Sequence, residues 1–182
     1  MIYSNTLSDG INFSDFNVAG IENIRLIDST FVKALTFSGD RVSNITIQGG
    51  ASWNTFNEVE NPSFSSVSEV RKSGTIYKNE IGFQFSQVST THNKVFDDLS
   101  NSTVTAIIGD NNGKYWLIGY QIGLRTTQYD KIIGETNEYT IKLSNVQKRP
   151  LYEVSPAYIQ SLPIEDEMYY CEADYVESDY VE

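Results

Sequence analysis

The feature that most restricts the fold of this chain lies between residues 103 and 120, where two β-rich arms flank a turn. The arms are Thr103-Val104-Thr105-Ala106-Ile107-Ile108-Gly109 and Lys114-Tyr115-Trp116-Leu117-Ile118-Gly119-Tyr120, and Asp110-Asn111-Asn112-Gly113 separates them. Asn and Gly accept the positive φ that a tight hairpin turn demands, so the arms are expected to pair antiparallel. The same preference for extended structure recurs. Val42 to Ile47 ends at Gly49-Gly50, and Glu80 to Ser86 alternates so that Ile81, Phe83 and Phe85 share one buried face. Asn137 to Leu143 alternates again, with Tyr139, Ile141 and Leu143 on one face and Gly134 and Asn137 supplying the turn before it. Ile21 to Ile27 reads as a further strand, preceded by Ile11, Phe13 and Phe16 in a stretch that fits a self-anchored loop. One segment breaks the pattern. Thr90 to Leu99 offers a Thr cap and apolar Val95, Phe96 and Leu99 at three-to-four spacing, which predicts a short helix on the sheet.

The expected fold is therefore mainly β: an antiparallel β-sandwich or β-barrel with one short packed helix. A chain of 182 residues with 40% hydrophobic and 13% aromatic side chains can bury one proper core without disulfides or metals. The lone cysteine, Cys171, cannot form an internal disulfide. No apolar run approaches the ~18 residues that span a bilayer, and the start lacks a basic, then apolar, signal pattern, so no membrane insertion and a cytoplasmic origin are expected. The glycosylation-like triplets at Asn12, Asn44 and Asn101 then have no functional meaning.

Charge divides the chain in two. Lys and Arg number 13 against 24 Asp and Glu, a net −11 that argues against a duplex-binding surface. Residues 165–182 hold eight of those acids, four Tyr and no Lys or Arg, and they repeat Asp174-Tyr175-Val176-Glu177 as Asp179-Tyr180-Val181-Glu182. The expected organisation is a β-rich domain over residues 1–164, near neutral with 16 acids against 13 bases, and an extended acidic arm over 165–182. So dense a run of like charges resists burial and predicts a mobile tail. Its Tyr and Val also suit an extended segment that adds to a neighbour as a strand or docks on a basic groove.

Catalytic chemistry is poorly supplied. His92 is the sole imidazole and sits in a polar stretch at the predicted helix start, where a solvated or capping role is usual. Cys171 lies among Glu167, Glu172 and Asp174, whose charge disfavours a thiolate. One His and one Cys cannot build a structural zinc site. Asp110 to Gly113 lacks the ligand spacing and the later Glu of a calcium loop, and Gly109 to Lys114 lacks the spacing of a phosphate loop. Glu58 and Glu60 beside Trp53 and Phe56 come nearest to a sugar-site composition, but an edge strand with outward charges explains them. The expectation is no catalytic residue, no cofactor and no metal.

From Ile108 to Pro150 the order of features is distinctive: the Asp110-Asn111-Asn112-Gly113 hairpin with its aromatic arm Tyr115-Trp116, then Gly123-Leu124, then the alternating strand Tyr139 to Leu143, then Lys148-Arg149-Pro150. This order resembles tail-tube-like virion proteins of tailed bacteriophages, and the resemblance points to phages of gut Bacteroidetes, including the crAss-like group. It implies a tail-tube-like fold and a non-enzymatic subunit of a tail, neck or tail-hub ring, located in the virion after synthesis in the host cytoplasm and serving assembly and genome ejection. The partners it implies are copies of itself and other tail, neck or portal proteins, with DNA passing through the assembly but not bound specifically. Under this reading Asp110, Asn111, Asn112 and Gly113 form an inter-subunit or lumen-facing loop, and Tyr169, Tyr170, Tyr175 and Tyr180 belong to an arm that clasps an adjacent protein. The short link from Gly123 to Gly134 and the acidic arm depart from the family pattern and leave tube, neck and hub positions open. The competing expectation is a monomeric carbohydrate-binding or adhesion β-sandwich with Trp53, Phe56, Trp116 or Tyr120 as a stacking platform.

Overall fold

The computed structural model describes residues 20–56, 59–86, 90–134 and 137–162, except for the side chains of 90–92 and 95. In chain order the elements are β1 (Ile21–Asp28), a 3-10 turn (Ser29–Phe31), β2 (Val32–Ser38), β3 (Arg41–Ile47), β4 (Asn54–Phe56), β5 (Glu60–Arg71) and β6 (Gly74–Ser86). There follow α1 (Thr90–Asn101), β7 (Thr103–Asp110), β8 (Tyr115–Ile118), β9 (Leu124–Ile132), β10 (Glu138–Gln147), β11 (Tyr152–Val154) and α2 (Pro156–Ser161). Hydrogen bonds connect the strands in the order β2-β3-β11-β8-β7-β9-β10-β6-β5, with β1 on the other edge of β7 and β4 beyond it. Pairing is antiparallel except for the short β3–β11 contact at Val42 and Val154.

Strand β7 is the pivot. Its Val104–Ile108 run is buried throughout, as a strand covered on both faces should be. β1 pairs along one edge of it, while β8 takes Ala106 to Gly109 on the other. β9 touches it only at Thr103 and Val104 before turning away to β10. That two-residue link lets β9-β10-β6-β5 pack over β4-β1-β7-β8, giving a mainly β, sandwich-like body. The interior takes Ile24, Leu26, Val104, Ala106 and Ile108 from one layer and Ile81, Phe83, Tyr139, Ile141 and Leu143 from the other. Phe96 of α1 enters the same core, its ring 4.8 Å from that of Tyr139 and 5.4 Å from that of Phe85.

A second cluster lies on the opposite face of β7. Ile27, Ile107 and Leu117 meet Val42, Ile45 and Trp53 there, closed by Val154 and by Tyr158 and Ile159 of α2. Burial pushes the Tyr158 phenol up, an effect that the neighbouring Trp53 indole offsets only in part, and the hydroxyl donates to Ile45 O at 3.2 Å. Each large side chain removed from water here contributes roughly 1.5–3 kcal/mol before entropy is counted.

The predicted strands at 21–27, 42–47, 80–86 and 137–143, the 103–120 hairpin and the 90–99 helix are all present. The alternation placed the faces correctly: Ile81, Phe83, Tyr139, Ile141 and Leu143 are buried and Phe85 packs against them. Two differences stand out. β6 begins at Gly74, not Glu80, and a second helix follows Ser155-Pro156, where a proline in the first turn is pre-set for helical φ. Ile11, Phe13, Phe16 and the arm 165–182 lie outside the described residues. Of the four aromatics considered as a stacking platform, two are structural: Trp53 is 5% exposed, and Phe56 packs against Phe83 and Phe85.

Candidate functional site

Strand β8 is bracketed by two turns of opposite character. In the first, Asp110 N donates to Lys114 O at 2.9 Å and Gly113 N to Asp110 O at 3.0 Å, with Gly113 at φ +72°. Gly113 therefore takes the left-handed position of the hairpin. Oδ1 of Asp110 accepts from the backbone N–H groups of Asn112 and Lys114, each at 2.9 Å, and Oδ2 from the Trp116 indole at 3.3 Å. The carboxylate is thus absorbed by its own turn, while Asn111, Asn112 and Gly113 face solvent. Beside it, Ile21, Pro62, Phe64, Ile108, Trp116 and Leu151 line a pocket of about 380 Å³.

The second turn, Gly119 to Gly123, is closed by Gly123 N donating to Gly119 O at 2.8 Å. Three of its residues have positive φ: Gly119 at +79°, Gln121 at +74° and Gly123 at +74°. A Cβ on Gly119 would lie 3.0 Å from Val104 O, and one on Gly123 would lie 2.8 Å from Thr103 Cβ and 3.0 Å from Ser29 Oγ. Glycine is needed at both ends because the loop folds flat onto β7 and the 3-10 turn. Gln121 has no such latitude, and the left-handed region costs a non-glycine residue about 1–2 kcal/mol. Backbone strain of this kind concentrates where a surface is held in a set shape. Here it thrusts Ile122, 55% exposed, into solvent.

Ile122 meets the exit of β10. Together with Ile76, Val146, Gln147, Lys148 and Arg149 it lines a pocket of about 390 Å³ with an apolar floor and a basic rim. A buried amide ladder sets the rim. Asn79 Nδ2 donates to Asn145 Oδ1 at 2.9 Å, Asn145 Nδ2 to Gln147 Oε1 at 3.3 Å, and Gln147 Nε2 to Arg149 O at 2.8 Å. Asn79 and Asn145 are register partners on β6 and β10, so the sheet itself holds the segment that carries both cations. Arg149 also donates to the Tyr152 hydroxyl at 3.3 Å, which raises the guanidinium pKa further. Among the described residues Lys148 and Arg149 enter no ion pair; the described pairs are Arg41–Glu153, Arg71–Glu69 and Lys78–Glu69. The β5–β6 hairpin brings Arg71 and Lys72 to the same end of the sheet, and Arg71, then Lys78, hold Glu69 down at about 2.

Of the expected interaction residues, Asp110 to Gly113 form one tight turn, and Tyr169, Tyr170, Tyr175 and Tyr180 lie outside the described residues, as do Glu58, Cys171 and the His92 side chain. Among the described residues no group of three His, Cys, Asp or Glu is placed to hold a metal ion. No described helix is long and apolar enough to cross a membrane. The Ile122–Val146–Lys148–Arg149 pocket was not anticipated as a site, although Gly119-x-x-x-Gly123 and Lys148-Arg149-Pro150 are both visible in the sequence. No protein-family model matches the chain, and no curated protein matches it.

Proposed function

We propose that this chain is a structural subunit of a head-to-tail ring, the tail, neck or hub ring of a tailed bacteriophage, with assembly and passage of the genome as its function. One observation carries the reading: among the described residues the path of paired strands is open at its two ends, β2 and β5. From Ser63 to Arg71 the pairing of β5 with β6 is regular, and among the described residues no strand pairs with its other edge. Pro62 and the bulge at Glu60/Ser63 blunt only the start of that edge, while Val67 and Val70 stand 60% and 83% exposed beside it. At the far end β2 exposes Phe37 at 47%. Edges this long are normally disarmed in monomers. Two different edges on one subunit make a heterologous contact, which closes into a ring when the rotation allows.

In this proposal the turn Asp110–Gly113 is a loop offered to a neighbour or to the lumen, and the acidic arm is a further contact segment. Recognition of a glycan by a monomer has less support, because Trp53 and Phe56 are committed to the cores and the Trp116 indole N–H to Asp110. The test is native mass measurement and negative-stain microscopy of the full chain, alone and with the products of its neighbouring genes. Rings are expected, and Val67→Lys, which puts a charge on the β5 edge, should leave folded monomers. A wild-type chain that stays monomeric in every mixture defeats the proposal.

A further inference from the structure

We infer that in the free chain the pocket of Ile76, Ile122, Val146, Lys148 and Arg149 is the seat of the chain's own C-terminal segment, taking one of the two Asp-Tyr-Val-Glu sequences at 174–177 and 179–182. Chemistry on both sides supports the match. The floor is apolar and half open to water, with Val146 52% and Ile122 55% exposed, and Tyr and Val are side chains that gain from covering it. The rim presents two cations without ion-pair partners among the described residues, and each candidate segment sets two carboxylates around its Tyr-Val pair. Arg binds carboxylates through a planar fork, and charge-assisted hydrogen bonds are about twice as strong as neutral ones.

Both halves of this match are unusual within the molecule. The arm carries eight of the chain's 24 acids and no base, so its charge favours the end of the sheet where Lys148 and Arg149 line the pocket and Lys72 stands in the β5–β6 turn. Duplication of the segment places a second identical ligand beside the first.

The tether decides for the chain's own body over a second copy. The described chain ends at Leu162, just past α2, whose Tyr158 and Ile159 are buried in the second cluster. The dozen or so residues from there to Asp174 reach roughly 40 Å when extended, about the diameter of a body of this size. Tethered ligands act at effective concentrations of about millimolar, so at micromolar protein the intramolecular seat fills first. The inference does not require ring assembly.

Cys171, the only cysteine, gives a test in the full chain with no added substitution. A nitroxide attached to it should broaden the methyl resonances of Ile122 and Val146 in dilute protein at low salt. The broadening should vanish at ~1 M salt, where the screening length is ~3 Å, in the double substitution Lys148→Glu/Arg149→Glu, and in Tyr175→Ala/Tyr180→Ala. The last variant leaves residues 20–162 untouched and so decides the matter even if the charge reversal disturbs folding. Absence of broadening in the wild-type chain, or its persistence in the tyrosine variant, overturns the inference. So does broadening seen only when spin-labelled chains are mixed with separate isotope-labelled ones, since that is binding between copies.

Discussion

The turns at the two ends of β8 both depend on glycine at nearly the same φ, +72° at Gly113 and +74° at Gly123, yet they do opposite things. The Asp110–Gly113 turn is satisfied largely from its own hairpin: its carboxylate accepts from three donors and its glycine faces open space, while Asn111 N ties it to Gly20 O at 3.2 Å. The Gly119–Gly123 loop is held from outside, pressed on Thr103 and Ser29 and closed by a hydrogen bond across its neck. The first turn shapes a hairpin chiefly through its own carboxylate. The second spends backbone strain at Gln121 to hold Ile122 beside residues from two distant strands. A glycine-bounded turn therefore says little by itself; what its absent Cβ would touch separates a folding device from a surface device.

Gly123→Ala against Gly113→Ala is the most direct attempt to break that comparison. Both substitutions force alanine into the left-handed region, at about 1–2 kcal/mol. Only Gly123→Ala also drives a methyl to 2.8 Å from Thr103 Cβ and 3.0 Å from Ser29 Oγ, on side chains pinned to each other by a 2.7 Å bond between Ser29 Oγ and Thr103 Oγ1. Overpacking of that kind adds about 1–3 kcal/mol. Urea unfolding should thus place Gly123→Ala well below Gly113→Ala. Equal losses would mean that the 3-10 turn yields and that the loop is not braced from below.

Asp110→Ala probes the first turn. It removes the acceptor for two backbone N–H groups and for the Trp116 indole. Water can reach the exposed backbone donors, so the loss falls to the net value of hydrogen bonds, about 1–3 kcal/mol in all. Asp110→Asn keeps an acceptor oxygen and should recover most of it. If Asp110→Ala costs more than Gly123→Ala in the same unfolding series, the ranking of the two turns is inverted.

Much of the fold was legible because it is local. Period-two alternation placed Ile81, Phe83, Tyr139, Ile141 and Leu143 on their buried faces, and Asp110 to Gly113 announced its hairpin. β5 was hidden because Ser63, Ser65, Ser66 and Ser68 dilute its pattern and because Val67 and Val70 point into solvent, so that Phe64 is the one large apolar side chain it packs on the core. The pocket was hidden for a different reason. Its residues come from positions 76, 121–122 and 146–149, and only the Lys78–Val146 register and the two-residue β7–β9 link bring them together. No local period encodes a meeting of that kind. What the sequence did show was each half alone: the paired glycines around Gln121-Ile122 and the Lys148-Arg149-Pro150 exit.

Gln121→Gly is the finest probe of the comparison. If the +74° φ at Gln121 is strain tolerated for the sake of the loop's shape, glycine relieves about 1–2 kcal/mol in the folded state. Glycine also widens the unfolded ensemble, which returns about 0.4–1 kcal/mol. The net expectation, from the middle of both ranges, is a gain of about 0.8 kcal/mol, seen as a higher urea midpoint at unchanged slope. Gln121 is exposed, so no buried contact is lost to confuse the result. An unchanged or lower midpoint would show that the Gln121 side chain repays its backbone, and the loop would then be a stabilising element like the turn at the other end of β8.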